Sequence, residues 1–178
     1  MSAVWERIAA DAAAESPLWG DALLPPAERR HEPVFSPLAP PALALGLETI
    51  YEGYLVHYGR SRLFAQDDAD TSLLLGDYLY AQGLVRVAET GNVSAVADLA
   101  ELISLCAQAR ADGRDGDGDG DGAAWAATAS LIATGGLDQA RDALRRRGDA
   151  RLLEQAAQAA AGAEPVARAL STHAELVG

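Results

Sequence analysis

The chain contains no lysine. Its 178 residues set 14 arginines against 26 aspartates and glutamates, a formal net charge of −12. With arginine as the only strong base, any phosphate would have to be recognised by planar guanidinium forks and not by an ammonium point charge. A surface this acidic repels extended nucleic acid, whose affinity comes from neutralising many phosphates, and it repels anionic membrane in the same way. There is one cysteine, Cys106, so no internal disulfide can form. It lies among apolar residues in a helical pattern and reads as a small buried hydrophobe in a reducing compartment. No apolar run approaches the ~20 residues that span a bilayer, and no basic segment leading into an apolar core opens the sequence. Stable membrane insertion is therefore not expected, and a cytoplasmic location is. Strand signals are missing as well, since β-branched and polar residues nowhere alternate over a sustained run.

What is present is helical periodicity. Residues 4–14 place Val4, Trp5, Ile8 and Ala12 on one side of a short amphipathic helix that ends at Ser16-Pro17. The segment 17–41 holds most of the eight prolines and predicts an irregular arm laid over the surface. From Ala42 to Tyr58 a helix is apolar over much of its circumference, which suits the middle of a bundle. Gly46 and Gly53 interrupt it and point to close helix packing, and Gly59 is a plausible stop. A further helix is expected over 73–88, capped by Asp70, Thr71 or Ser72 and closed at Thr90-Gly91-Asn92, with another following to Arg110. Residues 112–122 form a low-complexity Asp/Gly run that predicts a mobile connector. Alanine-rich helices are expected over 123–133, 137–147, 150–161 and 165–177. The expected architecture is a single all-α domain over 1–178, a helical bundle of about seven or eight helices.

One stretch carries more than periodicity. Leu74-Leu75-Gly76-Asp77-Tyr78-Leu79, with the turn and helix after it, resembles the Leu-x-Gly-Asp-Tyr-Leu helix of the trans-isoprenyl diphosphate synthases, or polyprenyl synthetases. The likeness covers about residues 42–110 and implies an isoprenoid-synthase-like bundle. In that family a His-Asp-Asp-x-x-Asp motif precedes this helix and, with a second aspartate-rich motif, holds the Mg2+ that neutralises an allylic diphosphate. This chain keeps Leu55-Val56-His57 but has Tyr58 and Gly59 where the first two aspartates belong, and no second motif follows Asp77. Mg2+ wants near-octahedral oxygen ligation and a departing diphosphate needs its charge stabilised, so the family chemistry requires several carboxylates.

The resemblance nominates His57, Arg60 and Arg62 for a diphosphate, with Tyr54 and Tyr58 lining an apolar tunnel together with Tyr51, Tyr78 and Tyr80. Each also has a plain structural reading: a satisfied helix-end histidine, solvated or ion-paired arginines, and aromatic core. Asp67, Asp68 and Asp70 could be a displaced metal motif, or residues that favour the start of the next helix. Calcium is a poorer fit to the Asp/Gly run. Counting an EF-hand loop from Asp115 or from Asp117 puts Ala126 or Thr128 where a bidentate glutamate is required. His31, His57 and His173 have no partners at metal-ligand spacing.

Three functions follow as expectations. The first is a non-catalytic polyprenyl-synthetase-like protein that partners or regulates a catalytic prenyl synthase subunit, or self-associates, and needs no cofactor. The second is an Mg2+-dependent prenyltransferase using Asp67, Asp68 and Asp70. The third is a helical interaction module unrelated to isoprenoids.

Overall fold

Two glycine pairs set the central helix packing. The computed structural model describes residues 2–111 and 119–178. In it α3 (Ala44–Tyr58) and α4 (Ala69–Ala88) run antiparallel and make the most extensive contact of the fold. Gly46 faces Gly83 and, seven residues along each helix, Gly53 faces Gly76: a Cβ at Gly53 would stand 2.9 Å from the Gly76 carbonyl oxygen. The close packing foreseen from these glycines is thus what they provide. Each costs helix propensity of about 1 kcal/mol relative to alanine, offset by backbones that approach with no Cβ between them.

Around this pair the described residues form nine α-helices and no strand, so the fold is an all-α bundle. Eight of the nine lie where periodicity places them. The remaining helices are α1 (Ser2–Glu15), α2 (Pro17–Asp21), α5 (Val93–Ala111), α6 (Asp119–Ser130), α7 (Asp138–Arg147), α8 (Arg151–Ala161) and α9 (Ala163–Val177). No helix among the described residues is long and apolar enough to cross a membrane.

Two apolar clusters share the central pair. The larger joins α3 to α5, α6, α8 and α9 through residues such as Leu47, Tyr51, Leu102, Trp125, Leu153 and Val166. The smaller lies on the outer side, where Trp5, Ile8 and Ala12 of α1 meet Val56, Leu63, Phe64, Leu75 and Leu79. Sandwiched between the two, α3 is buried from Gly46 to Val56, which is why its sequence is apolar nearly all round.

Three local readings change. The proline-rich arm is not wholly irregular or superficial: Pro17, with Ser16 as N-cap, starts α2, and Phe35 is completely buried among Tyr51, Trp125 and His173. Helix α4 begins at Ala69, four residues early, because the cap is Asp68, whose carboxylate accepts from the Thr71 N–H at 2.7 Å. The Asp/Gly run is helical from Asp119 onward, since Asp121 finds buried partners that offset the weak propensity of Gly120 and Gly122; the rest of that run, 112–118, lies outside the described residues. Farther on, Asp98 of α5 fixes two later segments. It accepts from the Ala133 N–H at 2.9 Å, where φ is 64°, and pairs with Arg141 of α7 at 3.0 Å.

Candidate functional site

Glu48 and Glu52, one turn apart on an apolar helix, organise the first polar centre. Both are buried, and both face Arg62, itself 1% exposed. The Arg62 Nε donates to Glu52 Oε2 at 2.9 Å, and Nη1 donates to Glu48 Oε2 at 3.0 Å and to the Glu32 carbonyl at 2.8 Å. Glu52 Oε1 also accepts from the Ser61 hydroxyl at 2.6 Å and from the backbone N–H groups of Arg62 and Leu63 at 2.8 and 3.0 Å. One carboxylate thus folds the 60–64 loop back onto α3. Trp5 of α1 covers the guanidinium at 4.4 Å, with Tyr51 at 5.0 Å on another side. Burial opposes the Arg62 charge, but Glu52 and Glu48 outweigh it and hold the pKa above the ordinary value. Glu48 Oε1 and Arg62 Nη2 have no hydrogen-bond partner among the described residues.

A second centre joins α3, α5, α6 and α9. The Tyr54 hydroxyl donates to Asp121 Oδ2 at 2.7 Å, while Arg110 donates to the same oxygen through Nε at 2.8 Å and to the Tyr54 oxygen through Nη2 at 2.8 Å. Arg110 also lies over the Tyr58 ring at 5.3 Å. Next to this triad Tyr51 shares a 2.8 Å hydrogen bond with His173 Nδ1, and His173 packs beside Phe35 and Tyr54. Burial pushes the His173 pKa down to about 4, with the Arg110 charge adding to the effect. Burial likewise raises the Tyr51, Tyr54 and Cys106 pKa values, with Asp121 adding to the last two. The two tyrosines and the thiol are held protonated and are poor nucleophiles as they stand.

The residues nominated by the sequence are dispersed among different tasks. His57 is half-buried over Gly76, where any Cβ would strike its ring at 2.4 Å, and its Nε2 lies 3.2 Å from Asp77. Burial lowers its pKa, partly countered by Asp77. The Gly76-Asp77 pair therefore serves as the seat of His57. Arg60 points outward and reaches the Glu175 carbonyl at 3.2 Å, whereas Arg62 points inward, so the two arginines do not converge. Tyr54 belongs to the Asp121 triad, and Tyr58 is half-buried between His57 and Arg110. Gly59 packs against the Leu176 carbonyl oxygen, which a Cβ would approach to 2.8 Å.

Asp67 and Asp70 are exposed, and Asp68 is engaged as the α4 cap. Among the described residues, no three histidine, cysteine, aspartate or glutamate side chains come together as a metal-holding group. Asp67, Asp68 and Asp70, the carboxylates nominated for Mg2+, thus do not converge on one site. Sequence reasoning passed over Glu48, Glu52, Arg110 and Asp121, and weighed His173 only as a metal ligand. Glutamates at i and i+4 on an otherwise apolar helix were a legible signal of a buried basic partner.

No known protein family, no curated protein and no solved structure matches the chain.

Proposed function

We propose that this protein is a non-catalytic helical partner, and that its partner is an isoprenyl diphosphate synthase subunit carrying the aspartate-rich motifs. The observation that carries the first half is the end of α3. Where diphosphate chemistry would need converging carboxylates and arginines, Tyr58 and Gly59 are packed against neighbouring elements and Arg62 is turned into the Glu48–Glu52 pair. Glu52, Arg62, Tyr54, Arg110 and Asp121 use hydrogen bonds to tie helices and loops together. The second half rests on the likeness of residues 42–110 to polyprenyl synthetases.

The test is native purification of a tagged copy from the source cells, followed by mass spectrometry and prenyl synthase assays of the pair and of each protein alone. Recovery of such a synthase, with product formation or product length changed by this chain, is the expected result. A chain that itself forms product with Mg2+ overturns the non-catalytic reading, and a stable complex with only unrelated proteins overturns the isoprenoid part.

A further inference from the structure

Helix α4 shows the surface an unusual combination. Of the six large apolar side chains most exposed among the described residues, Leu73, Leu74 and Val85 are on α4 and Val93 opens α5. Leu74, Ala81 and Val85 recur at helical spacing on one side, spanning roughly 16 Å at 1.5 Å per residue. Asp70 and Asp77 are exposed along the same side, and Glu89 is exposed just beyond its end. The one basic residue of α4, Arg86, is turned inward to Asp11 at 2.6 Å and to the Thr49 hydroxyl. The stripe is therefore apolar with an acidic rim and no base from α4; the basic groups near it are Arg7 of α1, held by Asp11 and in reach of Glu89, and His57 beside Asp77.

That charge pattern selects the occupant. A second copy would bring the same carboxylates: antiparallel pairing that sets Leu74 against Val85 also sets Asp70 against Glu89, and parallel pairing sets each aspartate against itself. Like charges across an interface disfavour the wrong partner. We propose that this face of α4 docks an amphipathic helix of another protein, one whose apolar stripe is flanked by lysine or arginine. The inference rests on the partner reading above and says what the partner must present.

The probe is a 20-residue synthetic helix with a leucine stripe flanked by lysines, titrated into the full chain by fluorescence anisotropy; a second version replaces the lysines with glutamates. The lysine peptide is expected to bind and the glutamate peptide not to. The double substitution Leu74→Gln with Val85→Gln should raise Kd at least tenfold, Asp70→Asn with Asp77→Asn should also weaken binding, and Leu152→Gln on α8 should leave Kd within twofold. No binding of the lysine peptide, or equal binding by the Leu74/Val85 variant, overturns the proposal. So does a homodimer in light scattering that the same pair of substitutions dissociates. The two readings fail separately. A prenyl synthase captured equally by wild type and the Leu74/Val85 variant removes this docking face and leaves the partner reading, while specific peptide binding with no synthase recovered does the reverse.

Discussion

Gly46 and Gly83 pack backbone to backbone: a Cβ on Gly46 would stand 3.0 Å from the Gly83 carbonyl oxygen, and a Cβ on Gly83 would stand 2.9 Å from that of Gly46. The added Cβ at position 83 would also meet Ile50 Cγ1 at 2.4 Å and the Ile50 nitrogen at 3.0 Å. Because two of those three neighbours are backbone, no rotamer change relieves the crowding.

Gly83→Ala should accordingly destabilise the fold, although alanine is the better helix former. Overpacking of about 1–3 kcal/mol exceeds the propensity gain of about 1 kcal/mol. Urea unfolding of the variant is the check, and a midpoint at or above wild type would contradict the backbone contact. Gly46→Ala should destabilise in the same way, since its Cβ would meet Val87 Cγ2 at 2.5 Å and the backbone of Gly83 and Val87 at 3.0 and 3.3 Å.

The buried guanidinium makes a second prediction. Arg62→Met removes the base that faces Glu48 and Glu52 and leaves two buried carboxylates without it, a change that typically costs about 3–5 kcal/mol. Arg62→Lys should recover only part of this, because an ammonium cannot serve Glu48, Glu52 and the Glu32 carbonyl from one planar fork. Chemical denaturation of the two variants measures the difference. Equal stability of Arg62→Lys and wild type would mean that charge alone, and not the fork, holds the 60–64 loop.

The placement of these groups explains how far the sequence could be read. Helix positions were legible because apolar spacing is local, and Gly46 and Gly53 announced close packing because glycine inside a helix has few other uses. Glu48 and Glu52 signalled a buried base but not which arginine it would be, and the burial of Asp121 was not legible, since it depends on Tyr54 and Arg110, which the fold brings to it. The start of α6 was missed for the same reason. Composition assigns Asp119-Gly-Asp-Gly122 to a connector, and only the tertiary contacts of Asp121 make the segment helical. Phe35 was hidden by its prolines, which signal irregular backbone but say nothing about depth.

The Tyr54–Asp121–Arg110 triad predicts strong coupling. Tyr54→Phe deletes one donor and should cost about 1–2 kcal/mol, while Asp121→Ala leaves Arg110 without its carboxylate and should cost more. Combined, they should lose less than the two separate losses added, by at least about 0.5 kcal/mol, because both act on one network. A double-mutant cycle in urea measures this. Strict additivity would show that the Tyr54–Asp121 hydrogen bond carries no coupling energy of its own.

His173 supplies the pH dependence. Its pKa falls from an ordinary value of 6.5 to about 4 on folding, chiefly through burial. Below pH 6.5 the unfolded chain takes up a proton at this position and the folded chain does not, so stability falls as pH is lowered toward 4 and levels off once the folded form also protonates. The loss over that window is on the order of 3 kcal/mol at about 1.4 kcal/mol per pH unit. His173→Gln removes the titration while keeping a polar group near the Tyr51 hydroxyl. Between pH 7 and 4.5 the variant should therefore lose about 2–3 kcal/mol less than wild type, whatever its stability at neutral pH. Every other position is common to the two proteins and cancels in the comparison. Parallel stability curves for the two would show that His173 takes up its proton in the folded chain near its ordinary pKa, and that α9 can charge this ring without leaving the core.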